Sequence, residues 1–180
     1  MAGTRQPARR GLRPPQRLRA RYGRSAHSAG RSRVRHRRTV VAMPYSGVFK
    51  RFPNLTFVVA HAGGALPVLA GRLALLGNEA WVPNPQGLSR GDIAAALRRL
   101  WVGTATAASN QQLAAAAETV GEDHIVYGSD WGVPCTNQQS LARNIQGLRA
   151  TTALSPIART SVRDRTRELF PAAARRAWQR

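Results

Sequence analysis

Three short runs of β-branched and aromatic residues, each followed by a segment of helical spacing, leave this chain few folds to choose from. They are TFVVA at 56–60, LWVGT at 100–104 and HIVYG at 124–128, and their composition suits buried strands. After the first, Leu66, Leu69, Ala70, Leu73 and Leu76 share one helical face, with Gly77-Asn78 as the expected stop. Residues 81–91 read as a loop, and Asp92 is the expected cap of a short helix to about Arg99. Ser109 or Asn110 caps an alanine-rich helix that reaches Val120 and ends at Gly121. Helices are expected again over about 140–149 and 155–170, the latter with Ser155 as cap and Pro156 in the first position. Upstream, Val40 to Phe49 reads as a helix interrupted at Pro44 and Gly47, and 51–54 as a turn. Strands alternating with helices at this spacing indicate parallel βα repeats, three units of an α/β fold.

In such folds, ligands and catalytic groups gather at the carboxyl ends of the strands. The first strand runs into His61 and then Gly63-Gly64; the third runs into Ser129-Asp130. An imidazole there can titrate near neutral pH or bind a metal, and paired with a carboxylate it can position and deprotonate a water. Each residue also has an ordinary reading. His61 can be a hydrogen-bonded structural histidine, and Gly-Ser-Asp is a common turn and capping triplet.

Charge divides the chain. Of its net +20, the first 40 residues contribute +13, from 13 arginines and no acid, and Lys50 is the only lysine. Residues 1–38 are mostly Arg, Pro, Gly and Ser without apolar periodicity, and are expected to be a disordered basic leader. One reading is a nucleic-acid-binding arm acting through phosphate neutralisation. Another is an organelle transit peptide, against which Pro14-Pro15 and the glycines argue. A twin-arginine export signal is a poor match, because the apolar run after Arg37-Arg38 is only Val40 to Met43. The fourth is a non-native leader from an out-of-frame or misplaced start. A lone Cys135 excludes an internal disulfide and fits a reducing compartment or simple indifference to redox; a cytoplasmic location is expected. No apolar run is long enough to span a membrane.

The series SGVFKRFPNL (46–55), VVAHAGG (58–64), LPVLAGR (66–72), LWVGTA (100–105), IVYGSDWG (125–132) and RELFP (167–171) resembles one family over residues 39 to about 172. It is similar to the C-terminal half of the amidohydrolase-related, metal-dependent hydrolases and decarboxylases, the group of the aminocarboxymuconate-semialdehyde and 6-methylsalicylate decarboxylases. The resemblance implies a partial (β/α)8 barrel over 39–180, with these segments as strands six to eight. It implies His61 as the base that orients or activates a metal-bound water, and Asp130 as a ligand of a divalent metal, zinc in the first instance. It also places Trp131, Gly63 and Gly64 at the pocket of a small-molecule substrate, a carboxylic acid or lactone.

Departures from the family pattern are as informative. The His-x-His pair of strand one and the histidine of strand five have no counterpart; His27 and His36 lie in the basic leader without strand context. Gly103-Thr104-Ala105 stands where the family has Asp-Thr-Ala, and Arg165 lies near a usual asparagine. His124 precedes its strand and is read as a surface or capping residue; Cys135 is a soft ligand at most, or a small apolar residue. Three βα units cannot close an eight-stranded barrel, so an open strand edge and an apolar face are expected, with homo- or hetero-oligomers to cover them. The expected function is therefore that of a truncated hydrolase or non-oxidative decarboxylase, catalytically dead by itself. The alternatives are a non-catalytic α/β module with a nucleic-acid-binding arginine arm, and a subunit that supplies its half-barrel to another chain.

Overall fold

Three parallel strands, β1 (Phe57–Val59), β2 (Leu100–Gly103) and β3 (Ile125–Val126), lie side by side in chain order. The computed structural model describes residues 38–134 and 136–178. The expectations for the arginine-rich leader, for His27 and His36 and for Cys135 therefore lie outside the described residues. Helix α1 covers 38–45 and α2 Val48–Arg51. The break falls at Gly47 (φ 69°) rather than at Pro44, and residue 38, the last of the stretch expected to be disordered, is helical. The remaining helices are α3 (Leu66–Leu76), α4 (Arg90–Arg98), α5 (Asn110–Val120), α6 (Gln138–Ala150), α7 (Pro156–Leu169) and α8 (Pro171–Trp178). Each strand is followed by helix, as the sequence pattern requires. The three described strands form an open parallel sheet with β1 and β3 at its edges.

Alternation along the strands sorts their side chains. Phe57, Val59, Leu100, Val102 and Ile125 pack with Leu66, Leu97, Leu113, Ala116 and Val120 into one core between sheet and helices. Val58 points the other way and stays 41% exposed. Its register partner Trp101 stacks on His124, with ring centroids 4.4 Å apart and planes 12° from parallel. His124 Nδ1 also lies 3.1 Å from the Leu100 carbonyl, so this histidine serves the amino ends of the strands.

Every strand is shorter than its apolar run, for local reasons. Ala60 already caps a 3₁₀ turn over His61–Gly63, and His124 belongs to another 3₁₀ turn over Glu122–His124. Past Val126, the Tyr127 amide donates to the Val162 carbonyl (3.2 Å) and to Thr166 Oγ1 (3.1 Å), so α7 takes over from the sheet. Three helix boundaries also differ from expectation. The cap of α4 is Ser89, whose hydroxyl accepts from the Asp92 amide while Asp92 Oδ2 accepts from the Ser89 amide (2.9 Å). Asp92 is thus the third helical residue of a capping box, not the cap. Asn137 and Ser140 make the same reciprocal pair, which starts α6 at Gln138 rather than near Ser140. Pro171 starts α8 immediately after Phe170, where no helix was expected. Gly77 ends α3 in a right-handed conformation (φ −70°), so its role is space: a Cβ there would strike Tyr45 Oη and Ile93 Cδ1.

Candidate functional site

The carboxyl edge of the sheet concentrates the backbone strain of this molecule. Among the described residues, the non-glycine positions with positive φ are His61 (58°), Ala62 (50°), Thr106 (48°) and Asp130 (59°). All four follow a strand: the first two after β1, Thr106 after β2, Asp130 after β3. Such a conformation costs on the order of 1–2 kcal/mol per non-glycine residue and persists where the surroundings over-determine it, often at functional sites. Gly63 (φ 80°) and Gly64 (φ 63°, ψ −121°) continue the left-handed run. Gly64 occupies a region that only glycine enters freely, and a Cβ on Gly63 would come within 3.1 Å of Pro67 Cδ.

His61 is half-buried, and its Nδ1 lies 2.9 Å from the Ala105 carbonyl oxygen and 3.2 Å from Thr106 Oγ1. A carbonyl can only accept, so Nδ1 carries the proton. The lone pair is thereby left on Nε2, free to take a proton or bind a cation. A second tie joins the ends of β2 and β3. Fully buried Thr104 donates its backbone amide to the Val126 carbonyl (3.0 Å), and its hydroxyl accepts from the Gly128 amide (3.2 Å). His61 and Asp130 thus stand on strand ends that flank β2.

They form no hydrogen bond or ion pair with one another. Asp130 is half-buried, and its backbone carbonyl accepts from Thr136 Oγ1 (2.8 Å). Among the described residues its carboxylate has no hydrogen-bond donor. Trp131 is 58% exposed, its amide donating to Ser129 Oγ at 3.2 Å. No group of three His, Cys, Asp or Glu side chains among the described residues can hold a metal ion. A catalytic zinc takes about three protein ligands, so the described residues do not by themselves fit a metal centre.

Sequence reasoning missed Thr104, Thr106 and Asn144, which knit this edge together. Asn144 Nδ2 donates to the Gly128 carbonyl at 3.3 Å. Its signal was present: Leu141, Asn144 and Leu148 fall on one helical stripe, and an amide in such a stripe needs a buried partner. Thr106 left no signal, because a left-handed threonine is set by packing rather than propensity.

A family model described as amidohydrolase matches residues 6–163. The chain belongs to the amidohydrolase family. The match extends through most of the arginine-rich stretch, upstream of where the sequence motifs begin. A 6-methylsalicylic acid decarboxylase of Penicillium expansum is 31% identical over 86 residues, 48% of this chain and 26% of that protein. Among solved structures, 2,6-dihydroxybenzoate decarboxylase complexed with 2,6-dihydroxybenzoate superposes with a TM-score of 0.61 at 22% identity, covering 75% of this chain and 40% of its own. A dihydroxybenzoic acid decarboxylase from a Polaromonas species, with bound manganese and the inhibitor 2-nitroresorcinol, gives 0.59 at 22%, covering 75% and 39%. These two superpositions establish the fold. This amidohydrolase chain spans about a quarter of the curated relative and about two fifths of the two solved structures.

Proposed function

We propose that this chain carries the His61–Asp130 edge of a non-oxidative decarboxylase site for a small aromatic carboxylic acid. The observation that carries the reading is the hydrogen bond from His61 Nδ1 to the Ala105 carbonyl, which leaves Nε2 as the one ring nitrogen able to exchange a proton. Similarity to a 6-methylsalicylic acid decarboxylase favours loss of CO2 over hydrolysis. In that reaction the C–C bond to the carboxylate breaks, CO2 leaves, and the ring carbon receives a proton. His61 Nε2, which first takes a proton from water, is the group assigned to deliver it.

Trp131 offers an exposed aromatic face for a flat substrate, and exposed Gly64, with nothing within 4 Å of where a Cβ would stand, lets a ligand approach the backbone, while Gly63 is packed against Pro67 and shapes the turn beneath it. Asp130 is the ligand this chain would lend to a divalent metal, proposed as zinc; manganese is the ion in the Polaromonas relative. Such an ion would need donors beyond the described residues; the pure chain is expected to show no turnover. The test is NMR titration with 2,6-dihydroxybenzoate, with His61 ring signals assigned through His61→Gln, alongside Trp131 fluorescence. Saturable shifts of the His61 ring and quenching of Trp131 are expected, without CO2 release. An unmoved His61 ring would remove the assignment; metal-dependent CO2 release lost in His61→Gln would overturn the expected inactivity.

A further inference from the structure

Thr106 stands beside His61 in a conformation that its own side chain makes costly. It is left-handed at φ 48°, which for a β-branched residue is a genuine outlier. Glycine would follow the same backbone without strain, so the side chain is what the strain leaves to be accounted for. Oγ1 lies 3.2 Å from His61 Nδ1, and that nitrogen carries the proton it shares with the Ala105 carbonyl at 2.9 Å. The hydroxyl oxygen therefore accepts, and its own hydrogen is directed away from the imidazole. Thr106 is exposed, and among the described residues that hydrogen meets no acceptor. A hydroxyl that accepts from one partner is a stronger donor to the next. A polarised O–H thus stands at one ring nitrogen of His61, and the free lone pair at the other.

Charge sets the partner this donor suits. Among the described residues, no lysine or arginine makes a hydrogen bond or ion pair with His61, Thr106 or Asp130. A cation pressed on a substrate carboxylate would stabilise the charge that has to be lost as CO2 departs, and so deepen the ground state. A neutral hydroxyl gives the carboxylate a charge-assisted bond that orients it, and leaves the charge free to move into the ring.

We propose that Thr106 receives the substrate carboxylate through its hydroxyl, and so determines which ring carbon faces His61. Resting on the proton-delivering role of His61, this assignment names the group that orients the acid against it. A strained threonine at the end of β2 then has a reason to be a threonine.

NMR titrations of the full chain with 2,6-dihydroxybenzoate and with resorcinol, the same ring without its carboxylate, test it in wild type, Thr106→Val and Thr106→Ser. Valine keeps the shape and the branching; serine keeps the hydroxyl. Thr106→Val is expected to lower affinity for the acid about tenfold or more and for resorcinol less than about twofold, with most of the loss recovered in Thr106→Ser. Nitrogen-15 shifts should report the Nδ1–H tautomer of His61 in all three proteins, because the Ala105 carbonyl remains. Equal losses for both ligands, or a changed tautomer, would overturn the proposal and make Thr106 a support of His61 alone. Unchanged affinity for the acid in Thr106→Val, with the His61 ring shifts still saturating, would overturn it and leave the role of His61 intact. A loss seen in Arg143→Gln and not in Thr106→Val would move the carboxylate to that arginine, which lines a cavity together with Thr106. Wild-type protein that binds neither compound would remove the reading of His61 and this one together. If Thr106→Val does not fold, Thr106→Ala takes its place with the same expectations.

Discussion

His61 Nδ1 lies 2.9 Å from the carbonyl oxygen of Ala105, and through that bond the turn after β1 and the turn after β2 hold each other in place. Neighbouring Thr106 joins the contact while strained at φ 48°. Asparagine tolerates that conformation far better than a β-branched residue. Thr106→Asn is expected to raise stability by about 0.5–1 kcal/mol. Urea denaturation measures this; a loss of stability would mean that the hydroxyl contact to His61 outweighs the strain.

The glycines of this chain divide by backbone conformation, and two alanine substitutions should move stability in opposite directions. Gly63 has φ 80° and Pro67 3.1 Å from its virtual Cβ, so Gly63→Ala should destabilise by at least about 1–2 kcal/mol. Gly71 lies inside α3 with nothing within 4 Å of the same position, and Gly71→Ala should stabilise by about 0.5–1 kcal/mol. Thermal melts of the two variants check the pair; equal shifts would refute the conformational account.

Glu122 sets a pH dependence. The Ser155 hydroxyl (2.6 Å), then the Ser155 amide (2.9 Å), then the charge of Arg165, hold its carboxyl below the ordinary glutamate range. A depressed folded-state value means that the stabilising contribution is present above the unfolded value, about 4.3, and is lost as pH falls through the folded one. Glu122→Gln should therefore narrow the difference in Tm between about pH 6 and about pH 3. Scanning calorimetry at several pH values decides it, and an unchanged pH profile would mean that this carboxylate is not linked to folding.

β1 forms one edge of the sheet, with no described strand on its open side and Val58 41% exposed on the face away from the helices. Open strand edges with apolar faces invite association, and lysine placed on them discourages it. Sedimentation velocity should show concentration-dependent self-association of the full chain that weakens in Val58→Lys. Identical behaviour of the two proteins would locate any association elsewhere.

Much of the architecture was legible because it rests on local chemistry. The period of the apolar residues announced α3 and α5, and Ser155-Pro156 announced α7. The alternation of strand and helix required parallel βα units, and it put His61 and Asp130 after strands. Capping boxes blurred the boundaries, since in Ser89–Asp92 and Asn137–Ser140 both members are good caps and only geometry tells which one leads.

What the sequence by itself determined is the α/β class and the order of its chemistry-bearing residues, because hydrophobic period and strand-end position are properties of neighbours in the chain. Only the tertiary structure decided which nitrogen of His61 stays free, since that depends on a carbonyl 44 residues away. It alone placed strain at Thr106 and Asp130, and it alone set Asn144 against Gly128 with one oxygen left over. These are consequences of long-range packing, in which a backbone group from one βα unit dictates the hydrogen bond, and hence the available chemistry, of a side chain on another.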